Sequence, residues 1–186
     1  MGLRSRWHGR RPQSGFTMVE ILVVIIIAGI LAGIAAPGWF SYLNSRRLDT
    51  GIDELYIAMR EAQSQAIRTK RTWQVSFREQ DGVLQWSVYP SANPEEAFWE
   101  SLDANVQIDD SLTTLPEGGD GLYVRFNHRG WLDNEEGDFD VLEDGTDDNQ
   151  PQITVMSAAG GDSRRCAFVA TLLGSLRRAK DDSCDP

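Results

Sequence analysis

Residues 14–39 read SGFTMVEILVVIIIAGILAGIAAPGW, and this stretch determines how the rest of the chain is interpreted. Phe16 to Ala36 is a run of 21 residues, roughly 31 Å as an α-helix, which matches the hydrocarbon core of a bilayer. Only the hydroxyl of Thr17 and the carboxylate of Glu20 do not suit a lipid interior. A carboxylate at membrane depth costs several kcal/mol, so Glu20 needs a partner or a purpose.

The charges are divided unevenly around this run. Residues 1–15 contain four arginines and no acid, whereas the remainder holds 14 basic and 28 acidic residues, a balance of −14. Because arginines stay on the cytoplasmic side, we expect the N-terminus inside and the C-terminal body outside. The chain has no second apolar run, so we expect a single membrane pass. The acidic body disfavours nucleic acid and anionic lipid as general partners.

Two ordinary explanations of the apolar run fit poorly. A secretory signal cleaved near 33–36 would have a shorter apolar core and no carboxylate within it. A plain transmembrane anchor fits the length of the run but leaves Glu20 unexplained.

The segment GFTMVEILVVIIIAGILAGIAAP (15–37) resembles the N-terminus of type IV prepilins and of type II secretion pseudopilins. The resemblance implies that prepilin peptidase cuts between Gly15 and Phe16 on the cytoplasmic side, and that the new amino group of Phe16 is N-methylated. Glu20 then occupies the acidic position of the family and pairs with the Phe16 amine of a neighbouring subunit in a filament. Pro37 matches a proline that kinks the stalk helix.

Beyond Pro37 the sequence indicates an amphipathic helix that continues to about Arg68. Its apolar positions recur at spacings of three and four, the seam of a helix packed on one side: Leu48, Ile52, Leu55, Met59, Ala62 and Ala66. We therefore predict one long helix over 16–68, with a transmembrane first half and an amphipathic second half.

After Thr72 the apolar period changes to two. Asp81-Gly82 separates two alternating runs and predicts a hairpin. Residues 93–103 are predicted to form a connecting segment with one or two helical turns. Further strands are predicted at 121–127, 139–142, 152–156 and 165–172. The predicted fold class is α+β, a pilin fold with the long helix packed against short antiparallel strands. The predicted domains are a leader (1–15), a transmembrane helix (16–36), an amphipathic helix (37–70) and a β-rich head (71–186).

Three segments of the head resemble the closing strands of the GspH/FimT group of minor pilins: RFNHRGWL (125–132), QITVMS (152–157) and RRCAFVATLLGSLRR (164–178). Some members of this group bind DNA through a Gly-Arg-x-Arg motif near the C-terminus. The corresponding stretch here is Gly174-Ser175-Leu176-Arg177, which lacks the first arginine. Arg177, Arg178 and Lys180 are the candidate phosphate contacts, weighed against a solvated strand end.

Cys166 and Cys184 lie in the body that we place outside the cytoplasm, where disulfides persist. A bridge between them would close a loop of about 19 residues and contribute about 3 kcal/mol. The alternative is two unpaired thiols.

The remaining motifs carry weaker hypotheses. Nine carboxylates lie between Asp133 and Asp148, and the best candidate calcium ligands are Asp138, Asp140, Asp144 and Asp147, although the spacing is not that of an EF-hand and a solvated acidic loop is the simpler interpretation. His128 is the one histidine outside the leader, and no nucleophile motif accompanies it. We expect no enzyme activity and no cofactor.

The sequence thus predicts a minor type IV pilin that acts in pilus assembly, priming or at the tip. The alternatives are a minor pseudopilin of type II secretion, a DNA-binding minor pilin for uptake, and an anchored periplasmic protein outside any filament. The expected partners are prepilin peptidase, other major and minor pilins, and the inner-membrane assembly platform. The expected location is the inner membrane with the head in the periplasm, and then the pilus.

Overall fold

The computed structural model describes residues 15–133 and 150–185, and the chain divides into two compact units, Met1–Ser41 and Tyr42–Pro186. Helix α1 runs Met18–Thr69, so the boundary between the units falls inside it. Short 3-10 helices occupy Pro94–Glu96 and Asp181–Cys184. The strands of the described residues are β1 (Trp73–Gln80), β2 (Val83–Pro90), β3 (Glu100–Ser101), β4 (Val106–Ile108), β5 (Glu117–Gly118), β6 (Gly121–Phe126), β7 (Gln152–Ser157), β8 (Arg164–Thr171) and β9 (Ser175–Lys180).

The part of α1 in the second unit buries one apolar seam. All six predicted seam residues, from Leu48 to Ala66, are at most 3% exposed, and Ala58 joins them. Their spacing of three and four places them on one side of the helix, where burial removes apolar surface from water. The predicted helix and its buried face are confirmed.

The nine strands form two antiparallel sheets. Sheet 1 has the order β3-β2-β1-β6-β5 and sheet 2 the order β4-β7-β8-β9. Apolar residues of both sheets join the seam of α1 in one core cluster, including Phe77, Phe126, Ile153 and Val169. The predicted α+β class is therefore confirmed.

The β1–β2 hairpin forms as its Asp-Gly turn predicts. Asp81 and Gly82 both have positive φ, 55° and 74°, which a tight two-residue hairpin turn requires. Trp73 pairs with Pro90 and Gln80 with Val83. The alternation does not leave the polar residues in water, however, because Gln74 and Ser76 are buried with Tyr89 on the face opposite to the core. The Tyr89 hydroxyl lies 2.8 Å from Ser76 Oγ, and burial raises the pKa of Tyr89.

The other strand predictions have mixed outcomes. β6, β7 and β8 coincide with the predicted strands to within one residue at each end. The connecting segment 93–103 contains a single 3-10 turn followed by β3, and the predicted strand 139–142 lies outside the described residues. Strands β4, β5 and β9 were not predicted from the sequence. β4 and β5 have only three and two residues, and β9 has too few apolar residues to produce an alternating pattern.

Gln63 of α1 fastens two turns of the head to the helix. Its Nε2 donates hydrogen bonds of 2.7 Å to the carbonyl oxygens of Gly130 and Gly174. Gly174 has φ 79°, and a Cβ at this position would collide with the Gly130 carbonyl oxygen and the Gln63 amide. The close approach of the two turns therefore requires glycine.

Three ion pairs, each with one buried and one more exposed side chain, complete the body. The Arg165 side chain is 9% exposed; its Nε donates to Asp49 Oδ1 at 2.7 Å, and its Nη1 donates to Asp181 Oδ1 at 3.0 Å. Arg164 Nε donates to Asp109 Oδ2 at 2.7 Å. The Ser111 hydroxyl, hydrogen-bonded to Asp109, and the Arg164 guanidinium lower the pKa of Asp109 below its ordinary value of 3.8.

Replacing Gln63 by alanine should lower the free energy of unfolding by about 1–3 kcal/mol, because two carbonyl oxygens lose their donor. Thermal unfolding of the full chain in neutral detergent, followed by near-UV circular dichroism, measures the change. Ser64→Ala, at the exposed neighbouring position, is the matched control. An unfolding midpoint equal to that of the control would contradict the role given to Gln63.

Asp109 should make stability sensitive to acid. Because its folded pKa lies below 3.8, its contribution is complete above that pH and is lost as the pH falls through the folded pKa. Asp109→Asn should unfold more easily at pH 7, by about 1–2 kcal/mol, and lose less stability between pH 5 and 2 than the natural chain. Unfolding midpoints across this range, with exposed Asp110→Asn as control, provide the measurement. Parallel acid profiles for Asp109→Asn and the natural chain would exclude the effect.

Candidate functional site

The first candidate site is the start of α1, at residues 15–20. Thr17 immediately precedes the helix, and its Oγ1 accepts a hydrogen bond of 3.3 Å from the backbone N–H of Glu20. Thr17 therefore caps the helix, because the first N–H groups of a helix have no partner within it. This role was not predicted from the sequence, although Thr-x-x-Glu before an apolar run is the signature of a capping box.

Glu20 lies in the first turn of α1, where the helix dipole favours a negative charge. Its side chain is exposed within the described chain, and so are Gly15 and Phe16. Nothing lies within 4 Å of the position that a Cβ of Gly15 would occupy. The residues on both sides of the predicted cleavage position are therefore accessible and do not support the fold.

The apolar run that follows has no cover from the described chain. Its large side chains are 46–91% exposed from Phe16 to Phe40, with Ile21 at the lower limit and Met18 at the upper. An 18-residue window of α1 has a mean hydropathy of 2.8 and none of it is buried, so by length and composition the helix qualifies to cross a membrane. An apolar surface of this size calls for lipid or for other protein chains.

Position 37 lies inside α1, where a proline removes one backbone hydrogen bond. The kink assigned to Pro37 remains a prediction.

The predicted disulfide is present. Cys166 of β8 is bonded to Cys184 of the C-terminal 3-10 helix, and both residues are fully buried. The bridge ties the end of the described chain to sheet 2, and the carbonyl oxygen of Cys184 also accepts a hydrogen bond of 2.7 Å from Gln152 Nε2.

The candidate phosphate contacts Arg177, Arg178 and Lys180 all lie on β9 and are exposed. Arg178 is ion-paired with Asp53 of α1, and its guanidinium carbon lies 4.8 Å from the ring centroid of Tyr56. The structure thus brings the three cations together but places a carboxylate among them. DNA binding by this cluster remains a hypothesis.

The candidate calcium ligands Asp138, Asp140, Asp144 and Asp147 lie outside the described residues. Within residues 15–133 and 150–185, no group of three or more His, Cys, Asp and Glu side chains is arranged to hold a metal ion. His128 is exposed in the turn between β6 and Leu132.

Comparison with known families gives two matches. Residues 10–36 match the prokaryotic N-terminal methylation motif, which includes Gly15, Phe16 and Glu20. Residues 52–162, more than half of the chain, match the family described as type II transport protein GspH.

Curated relatives are similar over short stretches of the chain. The type II secretion system core protein G of Pseudomonas aeruginosa is 61% identical over 28 residues, which are 15% of this chain and 20% of that protein. Fimbrial protein Q of Moraxella bovis is 42% identical over 43 residues, 23% of this chain and 27% of that protein. The chain thus spans about a fifth to a quarter of the length of these relatives.

Two solved structures are similar at low identity. The type IV minor pilin FimU of Pseudomonas aeruginosa has a TM-score of 0.48 and 15% identity, covering 75% of this chain and 96% of that one. The minor pseudopilin EpsH of Vibrio cholerae has a TM-score of 0.46 and 11% identity, covering 72% and 96%. On the two family matches, the chain belongs to the type IV prepilin and type II pseudopilin family, within its GspH group.

Proposed function

We propose that this chain is a minor type IV pilin, matured by prepilin peptidase between Gly15 and Phe16 and built into a filament through α1. The observation that carries the proposal is the start of α1. A single carboxylate, Glu20, lies in the first turn of an apolar helix segment that the described residues leave uncovered, inside a match to the N-terminal methylation motif.

The chemistry of maturation explains why Glu20 is retained. Cutting after Gly15 creates an amino group on Phe16, which is then N-methylated and stays cationic. In lipid the Glu20 carboxylate is costly, and the ammonium of an adjacent subunit lowers that cost by pairing with it. The pairing sets the axial position of one subunit relative to the next, while packed apolar helices replace lipid around them.

The topology follows from charge and from the disulfide. The arginine-rich leader keeps the N-terminus in the cytoplasm, and the acidic body passes to the periplasm as the head of a single-pass protein. The Cys166–Cys184 bridge suits that oxidising compartment. The partners are prepilin peptidase, other pilins that contact α1, and the inner-membrane assembly platform. The work is structural and involves no catalysis.

The second candidate is a minor pseudopilin of type II secretion. It is favoured by the GspH description of the family that matches residues 52–162, and by the identity to a secretion core protein over 28 residues. Filaments sheared from the cell surface separate the two functions. A pilin is recovered in these filaments with the major pilin, whereas a pseudopilin stays with the inner membrane and its loss blocks protein secretion.

Gly15→Val should block maturation without disturbing the fold, because nothing lies near the position of the added side chain. The unprocessed chain should accumulate in the membrane and retain its leader, which intact-protein mass spectrometry detects. Gly29→Val is the matched control, since its added side chain also meets open space. Normal processing of Gly15→Val would contradict the assigned cleavage position.

Glu20→Ala should leave membrane insertion intact but reduce incorporation into filaments by about tenfold or more, since each 1.4 kcal/mol of lost pairing is a factor of ten. Immunoblots of sheared filaments and of membranes give the ratio of assembled to inserted protein. The control is Glu61→Ala, which removes an exposed carboxylate from α1 within the head unit. If Glu20→Ala assembles as well as this control, the carboxylate has no role in assembly.

A further inference from the structure

Among residues 15–133 and 150–185, β9 is the last strand of sheet 2 and is paired with β8 on one side only. An edge strand presents unpaired N–H and C=O groups that can accept another extended chain. Natural proteins commonly protect such edges with charged side chains, and Arg177, Arg178 and Lys180 of β9 match that description. These cations repel a basic strand, but they attract an acidic one.

The open edge of β9 faces a groove, which we call the β9 groove. It lies between residues 177–180 and the face of α1 that carries Arg46, Asp49, Asp53 and Tyr56, and its volume is about 720 Å³. Successive side chains of a strand point to opposite faces of the sheet. Because four consecutive residues of β9 line the same groove, the edge of the strand itself faces it.

The β9 groove is positive in an acidic chain. Five cations line it, the four arginines Arg46, Arg165, Arg177 and Arg178 together with Lys180, against the carboxylates of Asp49 and Asp53. The balance of these groups is +3, whereas that of the whole chain is −10.

Two of these cations make neither an ion pair nor a side-chain hydrogen bond among the described residues, whereas the third exposed cation without an ion pair, Arg46, donates through Nε to the Tyr42 hydroxyl at 3.0 Å. Arg165 is buried and engaged by Asp49 and Asp181, and Arg178 is engaged by Asp53. Arg177 and Lys180 are exposed, and neither has an ion-pair partner among the described residues.

We propose that the β9 groove binds an acidic, extended segment of another polypeptide, which adds to the open edge of β9 as a further strand. Backbone hydrogen bonds to the edge supply affinity that depends little on sequence, and Arg177 and Lys180 select carboxylates. The interleaved Asp49 and Asp53 weaken the field for a continuous row of phosphates, so an acidic peptide fits better than a nucleic acid. This inference goes beyond the proposed function and does not depend on maturation at Gly15.

Asp53 should have the opposite effect on binding to that of Arg177 and Lys180. It holds Arg178 across the groove, so an incoming carboxylate must compete with it. Removing the Asp53 charge should free Arg178 and strengthen binding of an acidic segment.

The test uses the full chain in neutral detergent micelles and the peptide fluorescein-Glu-Glu-Val-Glu-Glu-Val-Glu-amide, which presents carboxylates on both faces because Arg177 and Lys180 lie on opposite faces of β9. Fluorescence anisotropy should show binding that weakens as salt is added. The double variant R177E/K180E should lose about fivefold or more in affinity, and D53N should gain about twofold or more. The matched control K70E/R71E reverses two exposed cations just beyond α1 and should bind as the natural chain does.

Amide hydrogen exchange tests the strand addition directly, since the bound peptide should slow exchange in residues 176–180. A gain of affinity in D53N cannot result from misfolding, so it supports the proposal even if R177E/K180E folds poorly. Failure of the acidic peptide to bind, equal losses in R177E/K180E and K70E/R71E, or unprotected β9 amides in the complex would each overturn the proposal. Tighter binding of a single-stranded oligonucleotide than of the peptide, lost in R177E/K180E, would overturn it in favour of nucleic acid.

Discussion

The structure depends on one constraint, which is that a single helix has to satisfy two different surroundings. The first part of α1 exposes almost every apolar side chain, whereas the part in the second unit buries a seam of residues that are at most 3% exposed. One helix suits both surroundings because its surface is apolar on all sides up to Ala36 and on one side only from Leu48 onward. Both sheets take their place in the core by covering this seam.

The start of α1 carries the polar exception to that design. Thr17 caps the helix through the backbone N–H of Glu20, so the residue that presents the carboxylate is itself fixed at the helix terminus. In the proposed maturation, the carboxylate presented at this helix terminus would have the charge opposite to that of the Phe16 amine of a neighbouring subunit. The proposed assembly contact thus needs no further binding pocket, only a free N-terminus and an apolar environment that makes pairing favourable.

Sequence patterns predicted the features that local chemistry decides. The seam of α1, the Asp81-Gly82 turn and the apolar strands β6, β7 and β8 each have a period or a turn signal within a few residues. The methylation motif is likewise contained in one short segment of the chain, residues 10–36. The family resemblance of the head came from short segments, and the GspH match over residues 52–162 bears it out.

The features that the sequence did not reveal join residues far apart along the chain. Gln63 reaches Gly130 and Gly174 across 67 and 111 residues, and the pair of Asp53 with Arg178 spans 125. No period marks such contacts, since they depend on which strand lies beside which. The strand β9 was missed because its exposed arginines and lysine interrupt the alternation, and the same residues make it a charged open edge.

The measurement that tests the central claim most directly is the mass of the N-terminal peptide of the protein isolated from cell membranes. Our account predicts a peptide that begins at Phe16 and carries one methyl group on its amino nitrogen. A chain that begins at Met1, in which Phe16 has no free amine for Glu20 to pair with, or one cleaved after Ala36, which has lost Glu20 itself, would contradict the account.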